Sequence, residues 1–203
     1  MDAATPPWGT LFGLFFMTMG PIRAVAVFSA FGTEDRAPGV RPLATRAVGL
    51  TAIAFAVAVL LGDAVLARWG AGLPALIIAA GAILFALSVQ AMLAPPAAAP
   101  PIQDVTGVPA AAVAFPGLFP PIAVALPVIF AAAAPGWINE LTILGLGFLV
   151  LALDWLAMRH AKAIMAAIGP TPLQLLGAVF GVLQAALGVE FVLDGLRLLA
   201  PAA

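Results

Sequence analysis

Two short stretches in an otherwise apolar chain carry the residue types that can do chemistry. Met19-Gly20-Pro21-Ile22-Arg23 and Phe115-Pro116-Gly117-Leu118-Phe119-Pro120-Pro121-Ile122 place prolines inside hydrophobic runs, and the first adds a guanidinium. Proline removes one backbone donor and its ring clashes with the preceding turn, so each stretch is expected to break a helix. In hydrocarbon the freed backbone groups need partners, and a break persists where it is buried in protein or lines a wet cavity. Unwound backbone then offers hydrogen bonds to a bound group, while Arg23 offers anion attraction or closes an internal gate. The substrate-binding set on this reading is Gly20, Pro21, Ile22 and Arg23 with Phe119, Pro120, Pro121 and Ile122. Simple packing kinks are the alternative, because Pro and Gly are common in membrane helices.

Among the further polar residues inside apolar runs, Gln90, Asp154 and Glu190 stand out. Counting at about 1.5 Å per residue puts Arg23 roughly 22 Å along its run, Asp154 roughly 24 Å and Gln90 roughly 25 Å, within a hydrocarbon core of ~30 Å. A membrane-embedded arginine costs at least about 2.5 kcal/mol by insertion scales, so it should be paired or hydrated. The expectation is an Arg23–Asp154 pair with Gln90 nearby; reception of a substrate carboxylate by Arg23, or snorkelling to the interface, are the alternatives. Glu190 is expected in the opposite half of the membrane, as a structural ion pair with Arg68 or Arg197 or as a proton-coupling group.

The elements that must position these residues follow from composition. The chain has 203 residues, 64% hydrophobic and 8% charged. A soluble domain carries about 25% charged residues, so the solvent for most of this chain is lipid. A formal net charge of −1 without a basic run excludes nucleic acid as a partner. The absence of cysteine removes disulfides and thiolate metal sites. One histidine, His160, and two serines, Ser29 and Ser88, give neither a Ser/His hydrolase nor a metal cluster, and Asp154 and Asp194 lack the Gly-x-Gly-Asp surround of an intramembrane aspartyl protease. No enzyme, cofactor or metal is expected.

Apolar runs between breaks predict six spans, at about 8–31, 45–66, 73–93, 108–132, 138–158 and 171–199. A Pro/Ala tract at 95–107 divides them into three-span halves, 1–94 and 108–203. Arg36, Arg41, Arg46, Arg159 and Lys162 collect on one side, against Arg68 and Arg197 on the other, so the first side should be cytoplasmic and both termini outside the cytoplasm. Trp8, Trp69 and Trp137 then fall at the outer ends of spans, with Asp63 and Asp194 at the same interface.

An offset of 100 positions superposes Phe15 on Phe115, Pro21-Ile22 on Pro121-Ile122, Gly81 on Gly181, and the Leu87–Leu93 run on Leu187–Leu193. An odd number of spans per half makes the second enter from the opposite side. That is an inverted-topology repeat, in which matched breaks mark a midplane site.

These halves resemble the MarC family of six-span bacterial inner-membrane proteins. The likeness rests on Pro21-Ile22 running to Phe28, on Leu73-Pro74 and Gly81, on the Pro116–Pro121 stretch, and on Leu187-Gly188-Val189-Glu190-Phe191-Val192-Leu193-Asp194-Gly195-Leu196. The family usually reads Asp-Pro-Ile-Gly-Asn and Gly-Pro-Gly at the breaks; here stand Gly20-Pro21-Ile22-Arg23-Ala24 and Pro120-Pro121-Ile122. The resemblance implies an all-α inner-membrane protein moving an amino-acid-like small polar solute between broken spans 1 and 4. A non-transporting scaffold or regulatory subunit that keeps the fold is the alternative. The partners on this reading are the lipid bilayer, a small polar solute and, left open, a homo-oligomer.

Overall fold

A computed structural model describes residues 8–29, 40–93 and 108–200. The described residues are helical: α1 (Trp8–Met19), α2 (Pro21–Ser29), α3 (Val40–Trp69), α4 (Leu73–Leu93), α5 (Ala110–Ala112) running into a π-helical turn (Val113–Leu118), α6 (Pro121–Ala133), α7 (Trp137–Arg159), α8 (Ala161–Ile168) and α9 (Pro170–Leu199). Five segments are long and apolar enough to cross a membrane, and a sixth span arises if the pair Ala110–Leu118 and Pro121–Ala133, bent by 64°, is one span. Five of the six expected spans are matched in place, and the fourth falls on the bent pair. The breaks are unequal: α1 and α2 still form one apolar segment, Trp8–Phe28, whereas the second break is a sharp bend. The Pro/Ala tract and Arg36 lie outside the described residues.

Local chemistry sets where helices stop. At the end of α3, Gly70 adopts φ 69°, and its N–H donates to Ala67 O at 3.2 Å while that of Ala71 reaches Leu66 O at 3.0 Å. This is a Schellman cap, and it needs a residue without Cβ at that φ. At the end of α6 the Asn139 amide donates to Phe130 O at 3.0 Å and Ala134 O at 2.8 Å, capping carbonyls that run out of helical partners. The short helix α8 occupies what was expected to be a loop after span 5, and its amphipathic run packs Ala161 under α2.

Two apolar clusters hold the bundle. One joins Leu11, Phe15, Phe55, Phe119, Leu126, Ile143 and Leu151; the other joins Ala24, Val25, Phe28, Leu43, Ala47, Leu118 and Met158. Phe55 is the hub of the first, with ring centroids 5.5 Å from Phe15, 6.3 Å from Phe119 and 6.2 Å from Phe148. Gly147 makes room for it, since a side chain there would run into the Phe55 ring. The contacts Phe55–Phe148 and Trp155 Nε1–Thr45 Oγ1 (3.1 Å) step in opposite directions along α3 and α7, so these helices are antiparallel. Trp69 and Trp137 thus finish at one end of the bundle, and Arg41, Arg46 and Arg159 at the other.

Helices α4 and α9 form the most extensive pair, and glycines let their backbones approach closely. A Cβ on Gly188 would stand 2.7 Å from Phe85 N and 2.8 Å from Gly81 O, and one on Gly81 would meet Gly188 O at 2.5 Å. In lipid, where helices gain little from apolar burial against each other, such close backbone approach supplies the van der Waals contact that holds them together. Because backbone cannot shift as a side-chain tip can, Gly188→Leu should lower stability by about 1–3 kcal/mol. Gly145→Leu, which meets nothing within 4 Å, should leave it unchanged; thermal unfolding in detergent compares the two.

Candidate functional site

The site grows out of three carbonyls that prolines leave without partners. Pro21 has no N–H to donate to Met17 O four residues back, and Pro120 and Pro121 likewise leave Pro116 O and Gly117 O. At the first break Gly20 is required, since a Cβ there would collide with the Phe16 carbonyl. Gln184, from α9, donates its Nε2 to Met17 O at 2.6 Å. At the second break the chain kinks at Phe115, whose backbone is extended (φ −125°, ψ 124°), and Phe119 N reaches back five residues to Ala114 O at 2.8 Å. Arg23, from α2, then donates Nε to Gly117 O at 2.7 Å and Nη2 to Pro116 O at 3.3 Å. Each break is therefore capped by a long polar side chain from the other half of the chain.

Beside the first break lies a half-open cleft of about 490 Å³. Its walls come from α1 and α2 (Phe16, Met17, Gly20, Ile22, Arg23, Ala26), α4 (Ala91), α8 (Met165) and α9 (Gln174, Gly177, Phe180, Gly181, Gln184). From Gln174 to Gln184 the α9 wall descends roughly 15 Å, about half of a hydrocarbon core. Because α8 joins the Arg159 end of α7 to the start of α9, the part of the cleft lined by Met165 and Gln174 lies at the arginine-rich end. A cleft of this size, mostly apolar with a few convergent polar groups, has the form of a small-molecule site.

The sequence model for the MarC family integral membrane protein matches residues 8–200. The chain belongs to the MarC family. No curated protein and no solved structure matches it.

In this MarC protein the expected substrate-binding residues separate into two groups. Gly20, Ile22 and Arg23 line the cleft, and Pro21 shapes it by ending α1. Phe119, Pro120 and Ile122 are buried in the core, and Pro121 faces a second, apolar groove of about 280 Å³ shared with Val57, Leu61 and Val128. What the second break sends toward the cleft is the pair of carbonyls that hold Arg23, not its side chains. Gln174, Gln184, Met165 and Phe180 were not foreseen as cleft residues. The signal for Gln184 is an amide inside an apolar span, the same signal that Gln90 carries.

The expected Arg23–Asp154 pair is not formed. Asp154 is fully buried on α7, and neither carboxyl oxygen has a hydrogen-bond partner among the described residues, while Arg23 is committed to Pro116 and Gly117. Asp154 lies along α7 between Leu151 of one cluster and Ala157 of the other, so apolar packing surrounds its turn of helix. The other buried polar side chains, Thr18, Thr51 and Ser88, bond back to the carbonyl four residues earlier. Gln90 lies on the exposed face of α4, outside the cleft wall. Glu190 does pair with Arg197, at 3.2 Å, alongside Asp194 at 2.9 Å, on an exposed face near the end of α9. Arg68 takes no part in that pairing among the described ion pairs. Among the described residues there is no His/Cys/Asp/Glu group able to hold a metal ion.

Removing Arg23 strands two carbonyls. Arg23→Met is expected to cost about 1.5–3 kcal/mol, the range for hydrogen bonds to a charged group. Since Asp154 is not its partner, the cost should be the same within about 0.5 kcal/mol in an Asp154→Leu background. Thermal unfolding of the four variants in one detergent measures this; a markedly smaller cost in the second background would restore the ion pair.

Proposed function

We propose that the protein moves a small polar solute across a bacterial inner membrane, taking it up in the cleft beside the first break. The observation that carries this reading is the cleft itself: a half-open space reaching about halfway into a membrane bundle, walled by a broken helix and by Arg23. The arginine-rich end is cytoplasmic on this reading, so the cleft faces the cytoplasm and both termini are periplasmic. The site lies between span 1 and α9, with span 4 holding Arg23 in place.

Alternation of access follows from treating residues 1–94 and 108–203 as inverted repeats joined by the 95–107 linker. The offset of 100 positions supports the pairing, as do the close packing of α4 on α9 and the capping of each break from the opposite half. Under that pairing α4 against α6 corresponds to α9 against α1–α2. The first interface is packed, whereas the second is parted by the cleft. Exchange of the two arrangements would close the cytoplasmic cleft and open a periplasmic one.

One observation favours the scaffold reading. The hydrogen bonds of Arg23 and Gln184 stabilise the fold whether or not anything is transported. Uptake separates the two. The natural chain lacks cysteine, so Gln174→Cys places a single thiol on the cleft wall. Proteoliposomes are expected to accumulate solute from a panel of neutral amino acids, organic acids and sugars. A bulky maleimide on that thiol should abolish the uptake, and should react from the cytoplasmic side. No uptake from any member of the panel would favour the scaffold, and reaction only from the periplasmic side would reverse the orientation.

A further inference from the structure

We infer that the ligand of the cleft is a small monocarboxylate with an apolar body, an organic-acid anion rather than a zwitterion. The inference rests on the reading of the cleft as a solute site and specifies its chemistry. Among the described residues the wall carries one cationic side chain, Arg23, and no carboxylate. Its two backbone bonds use two of the five N–H donors of a guanidinium. Those bonds also orient its planar fork, and such a fork matches a carboxylate with two parallel hydrogen bonds.

A zwitterion would bring an ammonium group into the same space. The carbonyls freed at the breaks, Met17 O, Pro116 O and Gly117 O, already accept from Gln184 and Arg23. The side-chain acceptors left on the wall are the neutral amide oxygens of Gln174 and Gln184, weaker partners for an ammonium than a carboxylate. Desolvating a charge without a matched counter-charge is costly. The remaining wall, Phe16, Ile22, Met165 and Phe180 among it, is suited to an alkyl or aryl body.

The test compares 4-methylpentanoate, leucine and leucinamide, which share an isobutyl group and present a carboxylate, a zwitterion and a cation. Binding to the purified full chain in detergent is measured by calorimetry. The expected order is 4-methylpentanoate first, with leucine at least about tenfold weaker and leucinamide not bound. Arg23→Gln should weaken 4-methylpentanoate by about tenfold or more, and Arg23→Lys, which keeps a charge, by less. Gly177→Leu points a side chain into open space on the cleft wall without touching either cap. It should abolish binding with unchanged thermal stability, which guards against a folding defect in the arginine variants.

Leucine binding as tightly as 4-methylpentanoate, 4-methylpentanoate binding unchanged in Gly177→Leu, or no binding of any probe overturns the inference. Uptake of leucine by proteoliposomes without 4-methylpentanoate binding overturns the ligand class and leaves transport standing. Binding of 4-methylpentanoate without uptake of any solute supports the ligand class and overturns transport.

Discussion

Backbone carbonyls cannot be left bare in hydrocarbon, and that constraint organises this molecule. Three prolines strip the helical partner from three carbonyls, and two side chains from distant parts of the chain replace what was lost. Arg23 ties α2 to the second break, and Gln184 ties α9 to α1. An uncapped carbonyl costs about 1–3 kcal/mol when buried, so each tie is worth a sizeable part of the 5–15 kcal/mol that typically separates folded from unfolded states. The cleft is the space that remains beside the first break, where α9 reaches across to cap α1 and touches α1 and α2 only sparsely.

The contacts that join the first and second halves of the sequence are of different kinds. Arg23 and Gln184 tie side chain to backbone. The glycine-lined α4–α9 contact sets backbone against backbone and admits no gap. Arg23 both holds the second break and faces the cleft. Under the proposed transport cycle, a ligand that engages the guanidinium would alter the strength of that tie.

Much of this was legible in residue types. Runs without charge located the spans to within a few residues, because lipid tolerates few exceptions. The prolines located both breaks, and the positions of Trp8, Trp69 and Trp137 agreed with the span ends. What could not be read was the partner of Arg23. A carboxylate announces itself as a letter in the sequence, whereas a carbonyl freed by a proline four residues later does not, and Asp154 at a similar depth drew the assignment instead. Both breaks contain proline and read alike in sequence; yet Phe119, Pro120 and Ile122 are buried in the core, at a bend of 64°. Helix α8 was missed because its eight residues fall between two spans and carry too little pattern to be distinguished from a loop.

The most direct measurement of this capping restores a missing donor. Pro21→Ala returns an N–H to face Met17 O, at the break that leaves Trp8–Phe28 one apolar segment. A double-mutant cycle of Gln184→Leu with Pro21→Ala is followed by thermal unfolding in detergent. Capping predicts that Gln184 becomes partly dispensable once the proline is gone, with coupling of about 0.5–3 kcal/mol. Strict additivity would mean that Gln184 stabilises the protein by some other route, and would contradict it.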